Sequence, residues 1–153
     1  MPSVKRIIVD ADSSPVVQEI IQVAEAFNLT VLLVMDFAHY RSQTFPAFVT
    51  IQYVDTGNDS ADYAIKKVAT SHDLVVTGDY GLASLLLATS KVMHHNGKLY
   101  TQETIEMLLL TRYHHQLARK AKQRVKGPSK FTAQHRQFFI QSLTECIEKN
   151  LAN

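Results

Sequence analysis

Short apolar runs alternating with helix-spaced stretches predict an α/β chain, a three-layer α/β/α sandwich around a mostly parallel central sheet. Two observations carry this expectation. Runs such as Ile7-Ile8-Val9 and Leu74-Val75-Val76 are β-branched or apolar throughout and of strand length, as buried strands are. Between them, apolar residues recur at the spacing of one helix face, as in Val17, Ile20, Ile21 and Ala24. The totals agree: 153 residues suit one domain, 1–153, with a full-sized core, and 46% hydrophobic with 20% charged residues is ordinary for a globular chain.

In chain order, Ile7-Ile8-Val9 ends a first strand, and Asp10-Ala11-Asp12 follows it. Ser14 reads as an N-cap and Pro15 as the first position of a helix running to about Phe27, with Asn28 as its stop. A second strand covers Leu29 to Val34. Asp36 to Phe48 is irregular, with Phe37, His39, Tyr40 and Arg41 as aromatics beside a base. A third strand runs from Val49 to Val54. Thr56-Gly57-Asn58-Asp59 makes a turn and cap before a helix with Ala61, Ala64, Ile65 and Val68 on its buried face, ending near Ser71. Asp73 to Thr77 is a fourth strand, and a short helix from Leu82 to Ala88 follows Gly78-Asp79. Lys91 to His94 is a fifth strand, with Asn96-Gly97 as a turn. Thr101 caps a helix running through Ile105, Leu108, Leu109, Tyr113 and Leu117 towards Lys122. Gly127-Pro128 breaks the chain, and Thr132 caps a last helix with the stripe Phe139, Leu143, Cys146 and Ile147. Residues 101–153 thus form a basic helical C-terminal segment.

Composition narrows the function classes. No apolar run approaches the roughly 20 residues a membrane span needs. The N-terminus leads straight into a strand rather than a signal-peptide core, and the single cysteine, Cys146, excludes an internal disulfide or a cysteine metal site. A cytoplasmic protein is expected. The net charge of +2 conceals an asymmetry: residues 1–79 hold ten acids against five bases, and residues 80–153 hold four acids against eleven bases. An acidic half and a basic half suit a cation site beside an anion-binding surface.

Aspartates supply the candidate chemistry. Asp10 and Asp12 stand at i, i+2 where the first strand hands over to a helix, so an extended backbone would point them the same way. In open α/β sheets, ligands bind at that carboxyl end of the strands. Asp59 and Asp62 sit three apart at a helix start, where capping and the helix dipole explain acids without further function. Asp79 follows the fourth strand, and strands one and four can be neighbours. Asp10, Asp12 and Asp79 would then meet near one point, approached by Asp59 and Asp62. Crowded carboxylates repel unless protonated or neutralised, and Mg²⁺ or Mn²⁺ is the cation that oxygen ligands and waters hold. The seven histidines form no i, i+4 pair suited to a metal and are mostly surface residues, with His39 the leading exception. Arg112, Arg119, Lys120, Lys122, Arg124, Lys126, Lys130 and Arg136 occur with no acid among them and are candidates for binding nucleic-acid phosphates.

Three groups of residues together resemble the uncharacterised bacterial YaiI/YqxD family, whose fold is similar to PIN-type nuclease domains. They are Val9-Asp10-Ala11-Asp12 with Pro15, Asp59-Ser60-Ala61-Asp62, and Thr77-Gly78-Asp79-Tyr80-Gly81-Leu82-Ala83. Arg112-Tyr113, Lys126-Gly127-Pro128 and Arg136 extend the likeness over nearly the whole chain. The resemblance implies a PIN-like domain with an acidic, divalent-metal-binding cluster: Asp10 as the strand-one acid, Asp62 as the helix acid and Asp79 as the strand-four acid. The chain departs from that pattern in lacking a recognisable acid on an intermediate helix. Ser14 stands where many relatives carry Cys, and His135 where many carry Asp.

Three functions follow in order. The first is a metal-dependent nuclease in which Asp10, Asp12, Asp62 and Asp79 act, Asp10, Asp59, Asp62 and Asp79 hold the metal, and the basic segment grips RNA or DNA. The second is a nucleic-acid-binding protein that keeps the fold without the chemistry. The third is a phosphatase of the haloacid-dehalogenase type, which Asp10-Ala11-Asp12-Ser13-Ser14 superficially resembles, with Asp10 attacking and Asp12 as acid/base.

Overall fold

The computed structural model describes residues 3–39, 44–57, 59–121 and 130–151. Its strands are β1 (Arg6–Asp10), β2 (Thr30–Asp36), β3 (Val49–Val54), β4 (Asp73–Val76) and β5 (Lys91–Met93). Its α-helices are α1 (Val17–Ala26), α2 (Ser60–Val68), α3 (Tyr80–Leu86), α4 (Gln102–Lys120) and α5 (Ala133–Leu151). The five strands form one sheet in the order β3-β2-β1-β4-β5, with every strand pair parallel. The chain moves outward from β1 to β3, then crosses back to β4 and on to β5. The strand order therefore reverses between β1 and β4, which makes their carboxyl ends the crevice where such sheets bind ligands.

Side-chain alternation builds the three layers. Ile7 and Val9 face α1 and α5, in a core with Ile20, Leu33, Val76, Phe139, Leu143 and Ile147. Ile8 faces the other way, towards Ile65 of α2, Leu82 and Leu86 of α3, and Ile105 of α4. Central strands covered on both faces need continuous apolar runs, and Ile7, Ile8 and Val9 are all fully buried. The last-helix stripe is buried as expected, and the Thr132 hydroxyl accepts from His135 N at 3.3 Å while His135 Nδ1 accepts from Thr132 N at 3.0 Å. This reciprocal cap starts α5 where the sequence places it.

Several element ends differ from expectation. The first long helix starts at Val17, not Pro15, because Ala11–Ser13 forms a 3-10 turn between β1 and α1. Ser14 Oγ accepts only from Val16 N, at 3.3 Å. Asn28 does stop α1: it takes the left-handed conformation, φ 56°, and Leu29 N returns to Ala24 O at 2.9 Å. The helix from Gln102 carries a capping box between Thr101 and Thr104, yet most of its expected buried stripe lies in the open. Ile105 is its buried residue, while Leu108, Leu109, Tyr113 and Leu117 are exposed. Helical spacing marks an apolar stripe but does not say that the same chain covers it. Among the described residues, no helix is long and apolar enough to cross a membrane. Tyr40, Arg41, Asn58 and Gly127-Pro128 lie outside the described residues.

Candidate functional site

The β1–β4 crevice is assembled by register. Val9 pairs with Val76, so the next residues along, Asp10 and Thr77, come side by side. The Thr77 hydroxyl donates to Asp10 Oδ2 at 3.0 Å and accepts from Asp79 N at 3.0 Å. Tyr100 OH donates to Thr77 O at 3.1 Å from behind. Thr77 therefore ties the two strand-end acids together. It directly follows β4, two residues before Asp79, a polar residue closing an apolar run, and that signal was available in the sequence.

Asp79 takes the N-cap of α3, with Oδ1 accepting from Gly81 N at 2.8 Å and Leu82 N at 3.2 Å. Its capping role is real and fixes its orientation. Asp62, in the first turn of α2, comes up to it from the neighbouring helix. Burial pushes the Asp62 carboxyl up to about 6, helped by the charges of Asp79, Asp10 and Asp59 and by proton sharing with the Asp79 carboxylate. Asp10 is also raised: burial is the leading cause, opposed by the Thr77 hydrogen bond and reinforced by Asp79 and Asp12. Asp59, Asp62 and Asp79 line one open cleft with Tyr63, Lys66 and Leu85. Lys66 forms no salt bridge with any of them.

Two of the expected roles change. Asp12 does not point with Asp10, because the 3-10 turn at Ala11–Ser13 replaces the extended backbone that would have aligned them. Its Oδ2 accepts from Asp36 N at 2.7 Å, and it lines a separate cleft over Leu33, Met35, Phe45, Ile51 and Tyr53. Asp59 occupies the N-cap position of α2 but makes no side-chain cap bond, and its backbone is left-handed at φ 66°. Capping therefore does not account for Asp59. Asp36, read as the start of an irregular stretch, instead ends β2 and accepts from Ala38 N and Thr56 Oγ1.

The histidine reading shifts as well. His94 and His95 are partly buried, their ring centroids 3.9 Å apart, and a side chain at Gly78 would meet His95 at 3.1 Å. Burial and the neighbouring His95 push His94 down to about 4, so it is neutral at pH 7. These two, folded back onto the end of β4 by the Asn96-Gly97 turn, are enclosed as the exposed His114 and His115 are not.

Of the basic candidates, Arg119, Lys120 and Lys130 are exposed. Arg112 Nη1 donates at 3.1 Å to the OH of Tyr80, the residue after Asp79, and so links α4 to α3. Arg136 is committed to docking α5 on α1: it donates to Pro15 O, pairs with Glu19 at 3.2 Å and lies over Phe131 at 5.1 Å. That engagement ties the Arg136 guanidinium to the α1–α5 contact. Lys122, Arg124 and Lys126 lie outside the described residues.

As to metal, no group of three or more His, Cys, Asp or Glu side chains is arranged to hold an ion among the described residues. The donor chemistry nevertheless fits a sparsely held hard cation. Mg²⁺ keeps several waters and binds through one or two carboxylates plus a substrate phosphate rather than in an all-protein cage. Asp62 and Asp79 are the carboxylates that could serve in that way, with Asp10 adding charge.

Comparison with known proteins returns a family without an assigned activity. Residues 8–149 match the family model described as "Uncharacterized BCR, YaiI/YqxD family". UPF0178 proteins of Staphylococcus aureus strains Newman and USA300 are each 44% identical over 144 residues, covering 94% of this chain and 95% of theirs. No solved structure matches.

Proposed function

Because the chain belongs to the YaiI/YqxD family, the site must speak for the activity, and we propose a divalent-metal-dependent, nuclease-like hydrolase of RNA or DNA phosphodiesters. The observation carrying this reading is the meeting of Asp10, Asp62 and Asp79 at the strand-order reversal, with Asp10 and Asp62 raised and, among the described residues, no base paired to them. Like charges gathered without a partner favour a cation. Bound there, Mg²⁺ or Mn²⁺ would supply charge to a phosphoryl oxygen and lower the pKa of water.

The chain's own contributions are distinct. Asp79 is held by two backbone N–H groups and lines the cleft. Asp62 faces it and must lose its proton for the pair to carry full charge, so cation affinity should climb as pH rises through about 6. Asp10, anchored by Thr77, sets the field behind them. Arg119, Lys120 and Lys130 are exposed and would be the bases to meet a phosphate backbone. An all-parallel sheet with acids at its carboxyl edge is in keeping with a PIN-like layout.

The test is cleavage of single-stranded RNA and DNA with Mg²⁺, Mn²⁺ or chelator. The reading expects metal-dependent cleavage that Asp62→Asn abolishes while nucleic-acid affinity is kept or improved. The absence of a three-ligand group favours a second reading, a nucleic-acid-binding protein without hydrolysis. Binding without cleavage under either cation would select it, and neither binding nor cleavage would overturn both.

A further inference from the structure

Helix α4 is attached along one side only. Ile105 is buried against the body and Arg112 bonds to Tyr80; seven residues apart, they lie on the same side of the helix. Roughly a third of a turn away, at about 100° per residue, run Leu110, Tyr113 and Leu117. Their i, i+3, i+7 spacing is that of the seam between two paired helices. Leu110 and Tyr113 are more than half exposed, at 55% and 56%, and Leu117 is 48% exposed. An apolar strip of this kind marks an interaction site rather than ordinary surface.

Charge along α4 identifies the occupant. From Gln102 to Thr111 the helix holds Glu103 and Glu106 and no base; from Arg112 to Lys120 it holds three bases and no acid. A parallel copy would lay acid on acid and base on base. An antiparallel copy lays each half on its opposite. The strip is also symmetric about Tyr113: Glu106 precedes it by seven residues and Lys120 follows it by seven, while Leu110 precedes by three and Leu117 follows by four. We infer that α4 is a self-association surface that pairs antiparallel with α4 of a second copy of this chain, about a two-fold axis at Tyr113. Tyr113 then meets its own counterpart, Leu110 meets Leu117, and Glu106 meets Lys120. A two-fold interface requires one patch to be its own complement, and this one is. The inference is independent of the metal site, which lies at the ends of β1 and β4.

Sedimentation equilibrium of the full chain reads the prediction. The expected species is a concentration-dependent dimer of the 17.2 kDa chain. Tyr113→Glu, which sets two like charges on the axis, should give a monomer with unchanged circular dichroism. Glu106→Lys or Lys120→Glu alone should weaken the dimer roughly 10-fold, since each creates two repulsive contacts by symmetry. The double exchange should restore it. A monomer at every concentration, a dimer indifferent to Tyr113→Glu, or a double exchange that weakens further would each overturn the inference.

Discussion

At the amino end of β1 and β4, Arg6 Nε and Nη2 donate to the two oxygens of Asp73 at 2.8 and 2.9 Å, and Thr70 N and Oγ1 add two more bonds. Burial alone would raise Asp73, but the Arg6 and Thr70 bonds outweigh it and hold the carboxyl below its usual range. At the carboxyl end of the same two strands, Asp10 and Asp79 meet Asp62 with no guanidinium or ammonium paired to them among the described residues, and Asp10 and Asp62 are raised. Asp10 and Asp36 end strands, Asp12, Asp55 and Asp79 follow strands within three residues, and Asp59 and Asp62 stand at the start of α2; Asp73 alone begins a strand. The fold evidently can neutralise a buried aspartate. Asp73 is thus an acid that holds the sheet together through Arg6, whereas Asp10, Asp62 and Asp79 are held by hydroxyl and backbone donors and by one another.

The sharpest way to break the contrast is at the paired rim. Arg6→Met leaves Asp73 buried without its charge partner and should cost about 3 kcal/mol in urea unfolding, because removing one member of a buried pair strands the other. The sign with pH follows from the lowered Asp73. Its contribution is fully present above the ordinary aspartate value and is lost as pH falls through the depressed folded value, so wild type and variant should converge in acid. A variant as stable as wild type at neutral pH would show that the pair is ornamental.

Next in size is Thr77→Val. It removes the donor to Asp10 and the acceptor of Asp79 N, and should destabilise by about 1–2 kcal/mol. It should also raise Asp10 further, since the Thr77 bond is the influence holding that carboxyl down.

The smallest effect has the opposite sign. A raised Asp62 means the folded state holds its proton longer than the unfolded chain does. Its charge therefore costs stability as pH rises between about 4 and about 6, and the cost stays in place above that. Asp62 is only partly buried, so screening reduces the cost to about 1 kcal/mol or less. Asp62→Asn should flatten the stability profile over that interval, and thermal melts across it check this. An unchanged slope would mean that Asp62 is not coupled to its neighbours.

Much of this was legible in the residues. Val49 to Val54 is a strand from end to end because its boundaries are set locally, by alternation and a following turn. Asp10 and Asp79 converge because parallel sheets put strand ends where connections begin, and the adjacency of β1 and β4 follows from one crossover. Asp12 was misread because spacing presumes an extended backbone, and three residues of 3-10 turn undo it. The buried stripe assigned to α4 failed for another reason: periodicity reports an apolar face, while its cover is a property of tertiary or quaternary structure. His94 and His95 are enclosed only through the turn that returns them to Gly78, which no local pattern announces.

The central claim is that Asp62 and Asp79 share a carboxyl-edge site whose charge awaits a cation. Carboxyl-carbon NMR titration of Asp62, with and without Mg²⁺ and in Asp79→Asn, addresses it directly. The account predicts a midpoint near 6 in metal-free wild type, a clear fall on adding Mg²⁺, and a fall in Asp79→Asn that Mg²⁺ no longer deepens. An Asp62 that titrates as an ordinary aspartate, or one indifferent to both Mg²⁺ and the loss of Asp79, would contradict it.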